Sequence, residues 1–122
     1  MLEKYKMNKR KFGNIGEKIA QKYLIEKGYK IIATNFYTKS GEIDIITKKK
    51  NEIIFVEVKT RTNYNYGRPS EAIDKNKKKH MKNTARIFLS LNNYSKYNIR
   101  FDAIEVIIKN GKCKITHLKQ II

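Results

Sequence analysis

The feature that most constrains this chain is the stretch EIIFVEVKTR at residues 52–61, which is apolar on both alternating faces of a predicted strand. Such a run is typical of a central strand that is covered on both sides. Glu57 and Lys59 interrupt one face, the one shared with Ile53 and Phe55. Burying unpaired charges there would cost several kcal/mol. The stretch therefore predicts charges that are compensated, either by each other or by a metal ion.

Asp44 is the third charge of this kind, in GEIDII ahead of the polar tip KKKN. In a hairpin with an even-length loop, residue parity places Asp44 on the same face as Glu57 and Lys59. A turn centred on the middle of KKKN would set Glu42 opposite Glu57, and a turn one residue later would set Asp44 there. Either register juxtaposes carboxylates, which is unfavourable by roughly 0.2–1 kcal/mol unless a cation bridges them. A divalent metal is such a cation. The alternative without a function is that these charged side chains form ion pairs across strands on an exposed sheet surface.

Periodicity elsewhere predicts an α/β protein with a mixed central sheet flanked by helices. Apolar residues at helical spacing before Gly28 predict a first helix over residues 13–27, and YKIIATNF then predicts a strand that forms a meander with the two above. EAIDKNKKKHMKNTARIFLSL, with Glu71 and Asp74 placed early, predicts a second helix. Asn110-Gly111 predicts a closing hairpin. The expected order is α-β-β-β-α-β-β.

The chain has 122 residues and a formal charge of +17. We expect one domain over residues 1–122, in which the basic segment 1–11 could be flexible. The charge makes nucleic acid the most probable partner, because neutralised phosphates release counterions. Apolar runs are too short for a membrane span, no signal-peptide core is present, and one cysteine cannot form an internal disulfide. We therefore expect a cytoplasmic protein with no membrane partner.

Further candidate residues carry weaker signals. Glu17 lies at the edge of the first helix's buried stripe, where it is either a site acid or a solvated one. Tyr64 and Tyr66 could stack on bases or simply pack in their loop. The basic candidates for nucleic-acid contact, whose alternative is a solvated basic face, are Arg61, Lys75, Lys77, Lys78 and Lys79.

Taken together, the blocks GEIDII, FVEVKTR, the Lys-rich helix and RFDAIEV resemble the small bacterial YraN-like family of predicted endonucleases. The similarity runs from about Phe12 to Leu118. Through it the chain resembles the PD-(D/E)xK restriction-endonuclease-like superfamily, alongside archaeal Holliday junction resolvases. One departure is Ile43, which stands where that superfamily often has proline. The resemblance implies a restriction-endonuclease-like core.

The resemblance also implies roles for particular residues. Asp44 and Glu57 would be metal ligands, Lys59 would aid the attacking water, Glu17 would be a supporting acid, and Lys77 matches the family's lysine on the second helix. Hard oxygen ligands suit Mg²⁺ or Mn²⁺.

The expected function is a metal-dependent endonuclease that hydrolyses phosphodiester bonds. We expect DNA ahead of RNA as the substrate, although the residues alone do not distinguish the two, and the resemblance to junction resolvases implies structured or branched DNA and a homodimer. The alternative is a basic nucleic-acid-binding module with an inactive nuclease-like site. Carboxylates within strands favour the enzyme, since a pure binder gains nothing from negative charge at its phosphate-facing surface.

Overall fold

The structure, a computed structural model, describes residues 9–63 and 73–122, with only the backbone described for Lys9. Its elements follow the predicted order α-β-β-β-α-β-β, and the predicted α/β class is confirmed. They are α1 (Lys9–Glu26), β1 (Lys30–Thr38), β2 (Gly41–Lys49), β3 (Glu52–Arg61), α2 (Lys75–Leu91), β4 (Asn98–Lys109) and β5 (Lys112–Leu118).

The five described strands form one mixed sheet in the order β1-β2-β3-β4-β5. The first three are an antiparallel meander, β3 and β4 are parallel, and β4 and β5 are an antiparallel hairpin. Asn110 and Gly111 form its turn with φ angles of 53° and 72°. Both angles are positive, as a type I′ turn requires, so this hairpin is confirmed.

The central strand β3 is covered on both sides, as its apolar faces predicted. Its even-numbered residues pack with α1, in a core that includes Leu24, Val56 and Ile104. Its odd-numbered residues pack with α2, in a core that includes Phe55 and Phe88. The charged residues Glu57 and Lys59 therefore lie toward the end of this doubly buried strand, at the edge of both cores.

The helix boundaries differ from the prediction at their N-terminal ends. Helix α1 begins at Lys9, inside the segment expected to be a basic extension, and residues 1–8 lie outside the described chain. Helix α2 begins at Lys75 because Asp74 is its N-cap, accepting a hydrogen bond from the Lys77 N–H at 2.8 Å. Our expectation that Asp74 lies inside the helix was wrong, since Asp is favoured at N-caps. Glu71 lies outside the described residues.

Strand β2 changes its facing at Asp44. Ile43 packs in the α2 core and Ile45 in the α1 core, although residues two apart share a face in a regular strand. On the neighbouring strand β1, Asn35 has a left-handed φ of 50°. The pairing of β1 with β2 includes Thr34 and Phe36 but skips Asn35 between them. The change of facing thus falls at Asp44, the first residue of β2 beyond its pairing with β3.

Candidate active site

The Asp44 side chain takes the place of a ladder hydrogen bond. Pairing between β2 and β3 ends at Ile45 and Val56, in the register that would bring Asp44, not Glu42, opposite Glu57. The Val58 N–H then donates to Asp44 Oδ2 at 2.8 Å. This bond fixes the carboxylate at the split between the two strands.

Glu57 lies beside it as a buried acid with two lysines. Its side chain is 5% exposed, and its Oε1 is 3.2 Å from Lys77 Nζ and 3.7 Å from Lys59 Nζ. Its Oε2 is buried and has no hydrogen-bond partner within residues 9–63 and 73–122. Lys59 comes from the same strand, whereas Lys77 reaches over from the first turn of α2.

A second buried acid, Asp102 on β4, shows what a structural carboxylate looks like in this fold. It is fully buried, and Arg100 donates to both of its oxygens at 2.9 Å. His117 Nε2 lies 2.7 Å from Oδ2, and the Gln120 N–H donates to Oδ1 at 3.0 Å. Every oxygen of Asp102 is satisfied, as buried polar groups usually are, so the unpartnered oxygen of Glu57 calls for an explanation.

The electrostatics of the pair indicate a demand for positive charge. Burial and the nearby Glu57 raise the pKa of Asp44 to about 8, although the Val58 N–H opposes the shift. Burial also raises the pKa of Glu57, against the opposing charges of Lys77 and Lys59. Two carboxylates held together out of water retain protons unless a cation replaces them.

Glu17 completes an acidic rim around Asp44. The Asn35 side-chain amide donates to Glu17 Oε2 and to Glu42 Oε1, each at 3.0 Å, and so ties α1 to the hairpin. Glu17 is close enough to Asp44 to contribute to its raised pKa. Both acids line a cleft of about 540 Å³ between α1 and β3, together with Glu57 and Lys59.

The donor set fits a divalent cation that keeps waters. Among the described residues, no three His, Cys, Asp or Glu side chains form a group that could by itself hold a metal ion. Mg²⁺ is usually bound through one or two carboxylates, with waters and substrate phosphates completing the shell. Asp44 and Glu57 Oε2, which has no partner in the described part of the chain, match that description.

Of the other basic candidates, Arg61 lines the same cleft as the carboxylates, whereas the described lysines line a separate groove. Arg61 is only 13% exposed and pairs with Glu105 Oε2 at 3.4 Å, an arrangement that stabilises β3 against β4. Tyr64 and Tyr66 lie outside the described residues. The remaining lysine candidates line a separate groove, whose lining residues are Lys75, Lys78, Lys79, Lys82, Asn83 and Arg86.

Two residues near the site escaped the sequence reasoning. Glu105 is 6% exposed in the apolar run AIEVII and carries the signal that singled out Glu57, a charge inside a doubly buried strand. Asn35 carried no signal, because its role depends on a left-handed backbone and on acids from two other elements.

The fold and site define a small α/β protein whose central strand carries a buried carboxylate, flanked by lysines beside a solvent-facing cleft. The sequence profile of Uncharacterised protein family UPF0102 matches residues 16–106. The chain belongs to this family, the YraN family that its motifs resemble.

Curated relatives match nearly the whole chain. A UPF0102 protein of Caldanaerobacter subterraneus is 47% identical over 116 residues, covering 93% of this chain and 95% of the relative. One from Clostridioides difficile is 46% identical over 84% of this chain and 90% of its own length. One from Clostridium novyi is 44% identical over 85% and 86%, respectively. No helix in the described part of the chain is long and apolar enough to span a bilayer.

Proposed function

We propose that this chain is a metal-dependent nuclease that hydrolyses phosphodiester bonds, with Asp44 and Glu57 as the metal ligands. The observation that carries the proposal is the buried Glu57 oxygen that has no partner among the described residues, beside a second carboxylate of raised pKa. The fully bonded Asp102 is the contrasting case of a structural acid. Perturbed acids that line a cleft are typical of functional sites.

A bound Mg²⁺ or Mn²⁺ would supply a Lewis acid and a water of lowered pKa. The protein's part is to hold the ligands rigidly. The Val58 N–H fixes Asp44, and the doubly packed strand fixes Glu57. Asn35 in turn holds Glu17 beside them.

Lys59 is the residue best placed to stabilise the reacting phosphate. Its side chain is one-third exposed and lines the cleft, and its Nζ lies 3.7 Å from Glu57 Oε1. An ammonium at this position offsets the negative charge that builds on phosphorus in the transition state. We also propose that Lys59 orients the attacking water by hydrogen bonding.

Substrate binding would use the outer face of α2. Its groove presents four lysines and Arg86 without an acidic residue among the lining side chains. The net charge of +17 adds long-range attraction for a polyanion. The preference for DNA, a homodimer and a cytoplasmic location stay predictions.

The same groove favours a second candidate function, a nucleic-acid-binding module that does not cleave. In that case the carboxylates would be a vestigial site, and binding would depend on salt but not on a divalent ion. The two functions separate cleanly in one experiment.

Purified protein should be incubated with linear duplex, single-stranded and branched DNA and with RNA, in Mg²⁺, Mn²⁺ or EDTA. We expect cleavage of at least one substrate with metal and none with EDTA. Asp44→Asn, Glu57→Gln and Lys59→Met should each lower the rate by at least about a hundredfold, because each removes a ligand or a stabilising charge.

The matched control is Lys30→Met, which removes an exposed lysine at the start of β1 and should cleave like wild type. Nucleic-acid binding by the three site variants should persist. Binding by wild type without cleavage of any substrate, in either metal, would favour the binding module instead.

A further inference from the structure

We propose that Lys77 is an internal counter-ion that holds Glu57 in the metal-free protein and releases it when a divalent cation binds. This inference rests on the proposed function for its metal site, but not on the cleavage reaction. It separates Lys77 from the neighbouring lysines, with which the sequence grouped it.

The helix periodicity directs Lys77 inward. The buried residues of α2 are Met81, Thr84, Ala85 and Phe88. Lys77 lies one helical turn before Met81 and thus continues this buried stripe at its N-terminal end. Lys78 is also half-buried, whereas Lys75 and Lys79 are exposed, and these three lysines line the outer groove.

The contact itself is the closest ion pair of Glu57. Lys77 Nζ lies 3.2 Å from Glu57 Oε1, against 3.7 Å for Lys59, although Lys59 comes from the same strand. The backbone of Lys77 is held by the Asp74 cap at 2.8 Å, so only the side chain needs to move for the pair to break. Its side chain is 33% exposed, which leaves room for that movement.

A divalent cation would add positive charge to a cluster that is already neutral when both carboxylates are ionised. Asp44 and Glu57 contribute two negative charges when ionised, and Lys59 and Lys77 contribute two positive ones. Mg²⁺ binds carboxylate oxygens at about 2.0–2.1 Å, so an ion on Glu57 and an ammonium on the same side chain would be close neighbours of like charge. Their repulsion favours withdrawal of the lysine, because it belongs to a separate element and can move without disturbing β3.

Removing Lys77 should therefore tighten metal binding. Charges of +2 and +1 about 5 Å apart repel each other enough, even in water, to change affinity by about tenfold. The substitution also favours protonation of the carboxylates. A proton carries half the charge of Mg²⁺, however, so the removal of Lys77 strengthens metal binding more than it strengthens protonation.

The test is calorimetric titration of Mg²⁺ into wild type, Lys77→Met and Lys78→Met at one pH and ionic strength. Lys78 is the matched control, since it is the next residue, is half-buried like Lys77 and makes the same change in net charge, but it lines the outer groove, whereas Lys77 contacts Glu57. We expect Lys77→Met to bind Mg²⁺ about tenfold more tightly than wild type, and Lys78→Met to stay within about twofold.

A second measurement uses wild type alone and does not depend on the folding of a variant. Amine acetylation, read residue by residue by mass spectrometry, should accelerate at Lys77 when Mg²⁺ is added, while Lys78 keeps its rate. Unchanged acetylation of Lys77, or a Lys77→Met affinity equal to or below that of wild type, would overturn the counter-ion role. If folded wild type binds no divalent ion, the metal site of the proposed function fails as well.

Discussion

Replacing Asp44 by Asn should make the metal-free protein more stable, even though it removes a proposed metal ligand. The amide keeps an oxygen for the Val58 N–H, which now bonds the carboxylate at 2.8 Å. It removes the charge that burial and Glu57 disfavour. The carboxylate therefore costs stability that a metal ion would restore.

The magnitude follows from the raised pKa. The interval from the ordinary 3.8 to about 8 corresponds to about 6 kcal/mol, at about 1.4 kcal/mol for each tenfold change in proton affinity. Part of this is offset, because a neutral acceptor bonds the Val58 N–H more weakly than a carboxylate does. We expect Asp44→Asn to raise the free energy of unfolding by about 2–4 kcal/mol at pH 8.

The raised pKa of Asp44 also fixes the direction in which the free energy of unfolding changes with pH. Between about pH 4 and pH 8, native wild type keeps a proton on Asp44 that its unfolded chain has released. The free energy of unfolding of wild type therefore falls as pH rises through this window. The advantage of Asp44→Asn should be absent near pH 4 and complete near pH 8.

Urea unfolding at pH 4 and pH 8, with EDTA or with Mg²⁺, measures this directly. Glu26→Gln is the control, because it makes the same change at an exposed position on α1 and should move stability by less than about 0.5 kcal/mol. Mg²⁺ should stabilise wild type and leave Asp44→Asn unchanged. A variant no more stable than wild type at pH 8 in EDTA would refute the argument.

Three further predictions concern packing, a structural acid and substrate binding. Gly16→Ala should lower the free energy of unfolding, measured in urea, by about 1–3 kcal/mol, because the alanine Cβ would lie 2.7 Å from the Cβ and Cγ2 of Thr60. A variant as stable as wild type would mean that α1 shifts freely to make room. Asp102→Asn should cost about 3 kcal/mol at pH 7. Burial raises the pKa of Asp102, but hydrogen bonds from His117 and Arg100 hold it below the ordinary value. The loss of stability in Asp102→Asn should therefore shrink as pH falls below about 4, where the wild-type carboxylate becomes protonated. A loss of stability that does not change with pH would contradict this reasoning. Replacing Lys78 and Lys79 together should flatten the logarithmic salt dependence of duplex binding by up to about 1.8, measured by fluorescence anisotropy, and an unchanged slope would place the substrate elsewhere.

The amino-acid sequence by itself determined the elements and much of the site. Alternating apolar residues and a left-handed Asn110-Gly111 turn are local properties, so they predict strands and a hairpin without knowledge of the fold. Parity in the β2–β3 hairpin is also local, and it indicated that Asp44 and Glu57 belong together. Charges inside a doubly apolar strand marked Glu57 and Lys59 because burial of charge is costly wherever it occurs.

The tertiary structure decided which partners those charges have. Lys77 stands in a run of lysines, and only the packing of α2 on the sheet brings it to Glu57 while Lys75, Lys78 and Lys79 line a separate groove. Asn35 became recognisable only once α1 and the β1–β2 hairpin met at its amide. Glu57 Oε2 has no hydrogen-bond partner among the described residues, and this too could be seen only in the folded structure, because a hydrogen-bond partner is defined by proximity in space.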